Sequence, residues 1–231
     1  MFFTYLAWGL AAFFLGAIPF GFVAGKLKGI DLREQGSGNI GATNTLRVLG
    51  VPAGVAVLLL DTFKGFLPVF LARQYLSPGG IGADAGGWGP VLVGIATVLG
   101  HIYSPFVRFK GGKGVATALG VLLGLAPLIA LAAFAVFLVT VWLTRYVSLG
   151  SLLAALTQGV LFWTLPGQSR ASQVFGTVVG LFVIVRHREN IRRLRSGTES
   201  RFGSKPKAAP AAVPENAPGE EEATPQPPPG A

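Results

Sequence analysis

The segment Gly36-Ser37-Gly38-Asn39-Ile40-Gly41-Ala42-Thr43-Asn44-Thr45-Leu46-Arg47 is a run of small, hydroxyl and amide residues that closes on a guanidinium. Glycines let backbone N–H groups approach an anion, the polar side chains add donors, and the arginine supplies charge. A second run, Phe109-Lys110-Gly111-Gly112-Lys113-Gly114-Val115-Ala116-Thr117, places two lysines around a glycine pair at the start of an apolar stretch. Backbone donors at a helix start suit an anion in the same way. The chemistry these two runs predict is the handling of phosphate. Plainer readings stand beside it: a flexible interhelical loop for the first run, membrane-edge anchors for Lys110 and Lys113.

Other candidates are scattered. His187 and Asn190 lie three apart in a basic segment, so on a helix they share a face. His187 there is a base, a donor to phosphate, or simply a solvated interfacial histidine. His101 falls inside an apolar run, where packing in the bundle interior is the better reading. Asp61 and Lys64 share a face of another run and are expected to neutralise each other. Ser148 and Ser151 open a further run as cap residues, or join the site if that end faces the first loop.

Several familiar chemistries drop out. Gly36-x-Gly38-x-x-Gly41 matches the dinucleotide fingerprint, but no β-strand precedes it, so that reading fails. Gly111-Gly112-Lys113-Gly114 lacks the hydroxyl residue and the upstream glycine of a nucleotide P-loop. Carboxylates are too few and dispersed for a metal cluster, and with no cysteine there is no thiolate nucleophile. The His-x4-Asp box of acyl-CoA acyltransferases is missing too, since Phe106 and Arg192 occupy the fifth positions after the two histidines.

The elements that must hold these residues are membrane helices. Of the 231 residues, 51% are hydrophobic and 13% charged, with a mean hydropathy of +0.58. A soluble domain carries roughly twice that charged fraction. Apolar runs cover approximately 3–25, 51–74, 88–107, 114–143, 147–165 and 172–186, continuous rather than alternating, which argues against a β-barrel. The net charge of +9 lies in short connections and after the last run, as membrane topology rather than nucleic-acid binding requires. The first run follows no basic leader and is expected to be retained as a span.

Run 114–143 is too long for one crossing, about 45 Å as a straight helix. If it folds back near Pro127 as two short helices, the cationic segments around Arg33, Arg108 and Arg188 all fall on one side. The fold predicted is therefore an all-α polytopic integral membrane protein of about seven transmembrane helices, N-terminus outside and C-terminus cytoplasmic. Residues 1–203 make the membrane-embedded domain. Residues 204–231, rich in Pro, Ala and Glu, are expected to be a disordered tail. A transporter of organic phosphates is the competing class, but no inverted repeat is evident.

Three ordered motifs resemble one family, the acyl-phosphate-dependent glycerol-3-phosphate acyltransferases of bacterial membranes. They are Gly36 to Asn44 with Arg47; Gly100-His101 through Lys110-Gly111-Gly112-Lys113-Gly114; and Arg186-His187 with Asn190 and Arg193, then Gly197-Thr198-Glu199. Asp61-x-x-Lys64-Gly65 and Tyr146-x-Ser148 also match. The likeness spans about residues 10–201 and departs at Ile40, where the family usually has proline.

The resemblance implies a seven-helix fold in the inner membrane with a cytoplasmic active site. It implies acyl transfer from acyl phosphate to the 1-hydroxyl of sn-glycerol 3-phosphate, giving lysophosphatidic acid and phosphate, the first step of phospholipid biosynthesis. It implies no cofactor or metal, and a functional link to an enzyme that makes acyl phosphate. The catalytic residues it implies are Ser37, Arg47, Lys110, His187 and Asn190. Those implied for substrate binding are Gly36, Gly38, Asn39, Thr43, Asn44, Gly111, Gly112, Lys113 and Ser148. Within that set, Ser37, Lys110 and Ser148 would hold the acyl phosphate. Thr43, Arg47, His187 and Asn190 would surround glycerol 3-phosphate, with His187 or the donor's own phosphate oxygen taking the hydroxyl proton. Glu199 is assigned a structural role.

Overall fold

The structure, a computed structural model, describes residues 2–76 and 87–203, and every regular element in them is helical. The predicted tail, 204–231, lies outside the described residues. Ten α-helices follow in order: α1 Phe2–Ala17, α2 Phe20–Lys26, α3 Ala42–Leu49, α4 Val51–Leu76, α5 Trp88–Ile102, α6 Val115–Leu125, α7 Pro127–Thr144, α8 Val147–Thr164, α9 Arg170–Arg186 and α10 Arg188–Arg195. Among the described residues, five stretches are long and apolar enough to cross a bilayer: Phe2–Lys26, Val51–Leu76, Trp88–Val107, Pro127–Thr144 and Val147–Thr164. The chain is a multi-pass membrane protein.

Helices pack here without a hydrophobic drive between them, so close backbone approach must supply the contact energy. The seam between α4 and α6 shows how. A Cβ on Gly65 would run into the carbonyl oxygen of Thr117, and one on Gly120 into that of Thr62. The seam between α1 and α5 repeats the device at Gly16 against Thr97 and Gly100 against Phe13. Valines and aromatics such as Val69, Val91, Val121 and Phe175 fill the remaining interior.

The first span is broken at Pro19, which has no N–H to give. Carbonyls freed at the break are taken by side chains from elsewhere. Ser104 Oγ donates to Ala17 O at 2.6 Å, and Lys64 Nζ to Ile18 O at 2.6 Å. Lys64 also pairs with Asp61 at 2.7 Å, both almost fully buried, so the expected neutralisation is what the structure shows. His101 Nδ1 lies 3.7 Å from the same carboxylate and 3.2 Å from Thr117 Oγ1, which makes this histidine part of the packed interior.

The long run does break where expected. Ala126 leaves helical geometry (φ −148°, ψ 77°) because a residue before proline avoids the helical region, and Pro127 opens α7. The two pieces are unequal, which corrects the expectation of two short helices. α6 has 11 residues, about 16 Å, whereas α7 has 18 and is long enough to span. Together they leave one end of the bundle and return to it. Arg186 donates to Gly112 O, Lys113 bonds Asn190, and Phe202 N–H donates to Arg145 O at 2.6 Å. Residues 112–113, 145 and 186–202 therefore share one end.

The glycine seam can be tested directly. Gly120→Ala should lower the thermal midpoint in detergent, a loss of about 1–3 kcal/mol from overpacking against backbone. Gly9→Ala, where an added Cβ meets open space, should leave the midpoint in place. Equal midpoints for both variants would remove the packing account.

Candidate active site

At the shared end lies a cavity of about 650 Å³ with two unlike halves. Its mouth is lined by the first glycine loop, Arg47, Lys113, Ser148, His187, Asn190, Arg193 and Glu199. Below the mouth the walls are apolar, formed by Leu58 of α4, Leu119 and Leu122 of α6, Phe134 and Phe137 of α7, and Val179 and Val183 of α9. Phe134 and Phe137 are stacked, with centroids 6.0 Å apart. A polar head over an apolar shaft is the shape of an amphiphile.

The loop is built by Asn44. Its side chain is buried at the start of α3, receives the Ser37 N–H at 2.8 Å and donates to Gln35 O at 2.9 Å and Leu32 O at 3.2 Å. Gly36 and Gly38 take positive φ (62° and 69°), conformations that other residues adopt at a cost. Asn39 Oδ1 accepts from Gly41 N–H at 2.8 Å, closing a turn just before α3. Asn44 and Asn39 thus shape the loop, while Ser37, Thr43 and Arg47 remain on the cavity wall. Ile40 does not line the cavity. It is buried, with its carbonyl against Gly21 of α2, so the departure from proline falls on the loop's anchored side.

The second loop turns out differently from the first. Gly111 and Gly112 lie flat on His101, and a Cβ at either would strike that residue's carbonyl or ring. Their smallness lets the loop pack on the end of α5. Lys113, not Lys110, enters the cavity; Lys110 is exposed at the surface and is not among the lining residues.

The third segment supplies the hub. Glu199 accepts from Asn190 Nδ2 at 2.7 Å and from Arg193 Nε at 2.6 Å, while the other side of Asn190 takes the Lys113 ammonium. Burial alone would raise the Glu199 carboxyl, but these hydrogen bonds outweigh it and hold the group below the usual carboxylate range. Ser148 adds to that by proximity only. Its buried Oγ lies outside strict hydrogen-bond geometry, so Asn190 and Arg193 are the two donors that fix the carboxylate.

Around this carboxylate stand Arg47, Lys113 and Arg193, with Arg186 close to Lys113. The other carboxylate in the wall, Asp61, is consumed by Lys64. Burial pushes the Lys113 ammonium down to about 8, with further repulsion from Arg193, Arg186 and Arg47 against the pull of Glu199. For His187, burial and the nearby Lys113 charge push the imidazole down to about 4. It is neutral at physiological pH. Its Nδ1 is 2.7 Å from Val183 O, which can only accept, so the proton sits on Nδ1 and Nε2 keeps its lone pair. A mouth with surplus positive charge and a neutral imidazole fits a polyanionic ligand beside a hydroxyl. Among the described residues, no group of three or more His, Asp or Glu side chains converges as a metal site would require.

A sequence profile described as glycerol-3-phosphate acyltransferase matches residues 6–197. The chain belongs to the glycerol-3-phosphate acyltransferase family. A relative of that name from Geobacter sulfurreducens is 48% identical over 193 residues, covering 83% of this chain and 94% of its own. Another, from Aquifex aeolicus, is 47% identical over 191 residues, covering 83% and 95%. Among solved structures, PlsY (YgiH), an integral membrane glycerol 3-phosphate acyltransferase in its glycerol 3-phosphate form, superposes with a TM-score of 0.80. It is 45% identical and covers 87% of this chain and 96% of its own. The lysophosphatidic acid form of that protein gives a TM-score of 0.77 at 44% identity.

The family fold thus places Ser37, Thr43, Arg47, Lys113, Ser148, His187 and Asn190 of this chain around one cavity. Arg193 and Glu199 join them as residues that sequence reasoning did not single out for the site. Glu199 had a signal: it is the lone acid just after a run of arginines. The Lys113 titration gives a sign. Lysine is charged below its pKa, so kcat/KM for an anionic substrate should fall as pH rises through about 8. Lys113→Arg, which stays protonated, should move that alkaline limb upward. A pH–rate profile unchanged by the substitution would exclude Lys113 as the titrating group.

Proposed function

We propose that the protein transfers a fatty acyl group from acyl phosphate to the 1-hydroxyl of sn-glycerol 3-phosphate, releasing lysophosphatidic acid and inorganic phosphate. The reaction is placed at the cytoplasmic face of the bacterial inner membrane. Seven hydrophobic helices, α1 with α2, then α4 to α9, carry it with the N-terminus outside and the C-terminus inside. The observation that carries this reading is the two-part cavity, a cationic mouth continuous with an apolar shaft. Relatives named for glycerol 3-phosphate and the sidedness of the basic loops support it.

The chemistry follows from the residues. Acyl phosphate already holds a good leaving group, so one displacement suffices and no covalent enzyme intermediate is needed. The hydroxyl oxygen forms the new ester bond to the acyl carbon as the bond from that carbon to phosphate oxygen breaks. The hydroxyl proton goes to His187 Nε2 or to an oxygen of the donor phosphate. Arg47, Lys113 and Arg193 neutralise two phosphates held at once, and Ser37 with the loop N–H groups orients the donor. Positioning and preorganised charge carry the rate.

Purified protein given palmitoyl phosphate and glycerol 3-phosphate should release phosphate and form lysophosphatidic acid, and palmitoyl-CoA in parallel should give none. Arg47→Ala should lower kcat/KM about a hundredfold or more, and Ser37→Ala should lower it strongly as well. Folded protein without product, or normal turnover in both variants, would sink the proposal.

A further inference from the structure

The mouth of the cavity is short of negative charge. Glu199 stands among Arg47, Lys113 and Arg193, yet the hydrogen bonds it accepts come from Asn190 and Arg193. Lys113 is met by an amide oxygen. The guanidinium of Arg47, half-buried in the cavity wall, makes no hydrogen bond and no ion pair with any described residue.

The chain leaves the described structure beside that mouth. Ser200 and Phe202 line the cavity, and a Cβ on Gly203 would lie 3.1 Å from the Arg145 guanidinium. The family match has stopped by then, at residue 197. Residues 204–231 hold Glu215 and the run Glu220-Glu221-Glu222, and no aromatic residue, so charge is what this segment offers a partner. Lys205 and Lys207 follow Gly203 closely, which sets the negative run apart from the strap in sequence. Glu220 is seventeen residues beyond Gly203. At 3.3–3.6 Å per residue they reach up to about 60 Å, several times the width of a 650 Å³ cavity.

We propose that the Glu220-Glu221-Glu222 run docks in the cationic mouth of its own chain and competes there with glycerol 3-phosphate. The inference rests on the reading of that mouth as a phosphate site. Carboxylates pair with guanidinium and ammonium groups through the same charge-assisted hydrogen bonds that phosphate makes. Each exposed pair contributes little, but a ligand tethered within reach of its site acts at about millimolar effective concentration. The run is therefore held when acceptor is scarce and displaced as acceptor rises. Its effect is to raise the glycerol 3-phosphate concentration needed for half-maximal turnover and to leave the maximum unchanged.

Two measurements on the full-length chain test this. With palmitoyl phosphate saturating, the combined variant Glu220→Gln, Glu221→Gln, Glu222→Gln should lower KM for glycerol 3-phosphate about threefold at low salt and leave kcat in place. The difference should vanish at about 0.5 M salt, where the charges are screened. In the second measurement, a carbodiimide joins carboxylates to amines in contact within an equal mixture of light and heavy-nitrogen protein. Mass spectrometry should find residues 220–222 linked to Lys113 of the same isotope, and glycerol 3-phosphate should suppress the link. Equal KM values at low salt overturn the proposal. So do links confined to surface lysines such as Lys28, which make the run a solvated tail, or links between isotopes, which make its partner a second copy. A protein that forms the Lys113 link but is inert toward palmitoyl phosphate would instead refute the acyl-transfer reading and leave the docking in place.

Discussion

The buried pair of Asp61 and Lys64 is the interaction on which the rest hangs. Two charges inside an apolar bundle are costly to desolvate and persist only when their remaining valences are met. Here the pair reaches the first span and α5 directly, and α6 and the second glycine loop through His101. Lys64 secures the broken first span at Ile18, and the carboxylate draws in His101 of α5. His101 meets Thr117 of α6 and carries the flat glycine loop that delivers Lys113 to the cavity. A loss of either charge would leave its partner stranded and loosen every one of these seams. The polar knot is structural, yet it lies in the cavity wall, so fold and site share one set of side chains.

The mouth above it is an electrostatic arrangement held under tension. Cations that would repel one another are kept together by Glu199 and by Asn190, which joins that carboxylate to Lys113. Repulsion and burial lower the affinity of Lys113 for its own proton and leave His187 neutral. Both effects ease when a doubly charged phosphate arrives, so the empty mouth is preorganised for its ligand rather than relaxed without it.

Much of this was legible in the sequence, for physical reasons. Bilayer thickness limits how long an apolar run can be, and Pro127 could only mark a break, so the return of α7 to the starting end followed from charge counting. Its unequal partner did not, because nothing local sets where a helix stops short within the membrane. Ser37, Arg47, His187 and Asn190 could be named from residue type and spacing. Which of two lysines three apart turns inward depends on how the loop sits on His101, a contact between distant segments. Asn44, Gly111 and Gly112 were noticed for polarity and smallness, and the structure uses those properties for internal bonds and close packing.

The segment after α10 has a further consequence. Phe202 hydrogen-bonds to Arg145, Arg201 stacks on Tyr146 with its guanidinium 5.4 Å from the ring, and Ser200 and Phe202 join the cavity wall. This strap, and Glu199 with it, comes after every described helix of the bundle. During synthesis the helices are all made before the strap exists, and until it docks the cations of the mouth lack their counter-charge. The charge balance of the mouth is thereby completed last, by the segment that follows the helices.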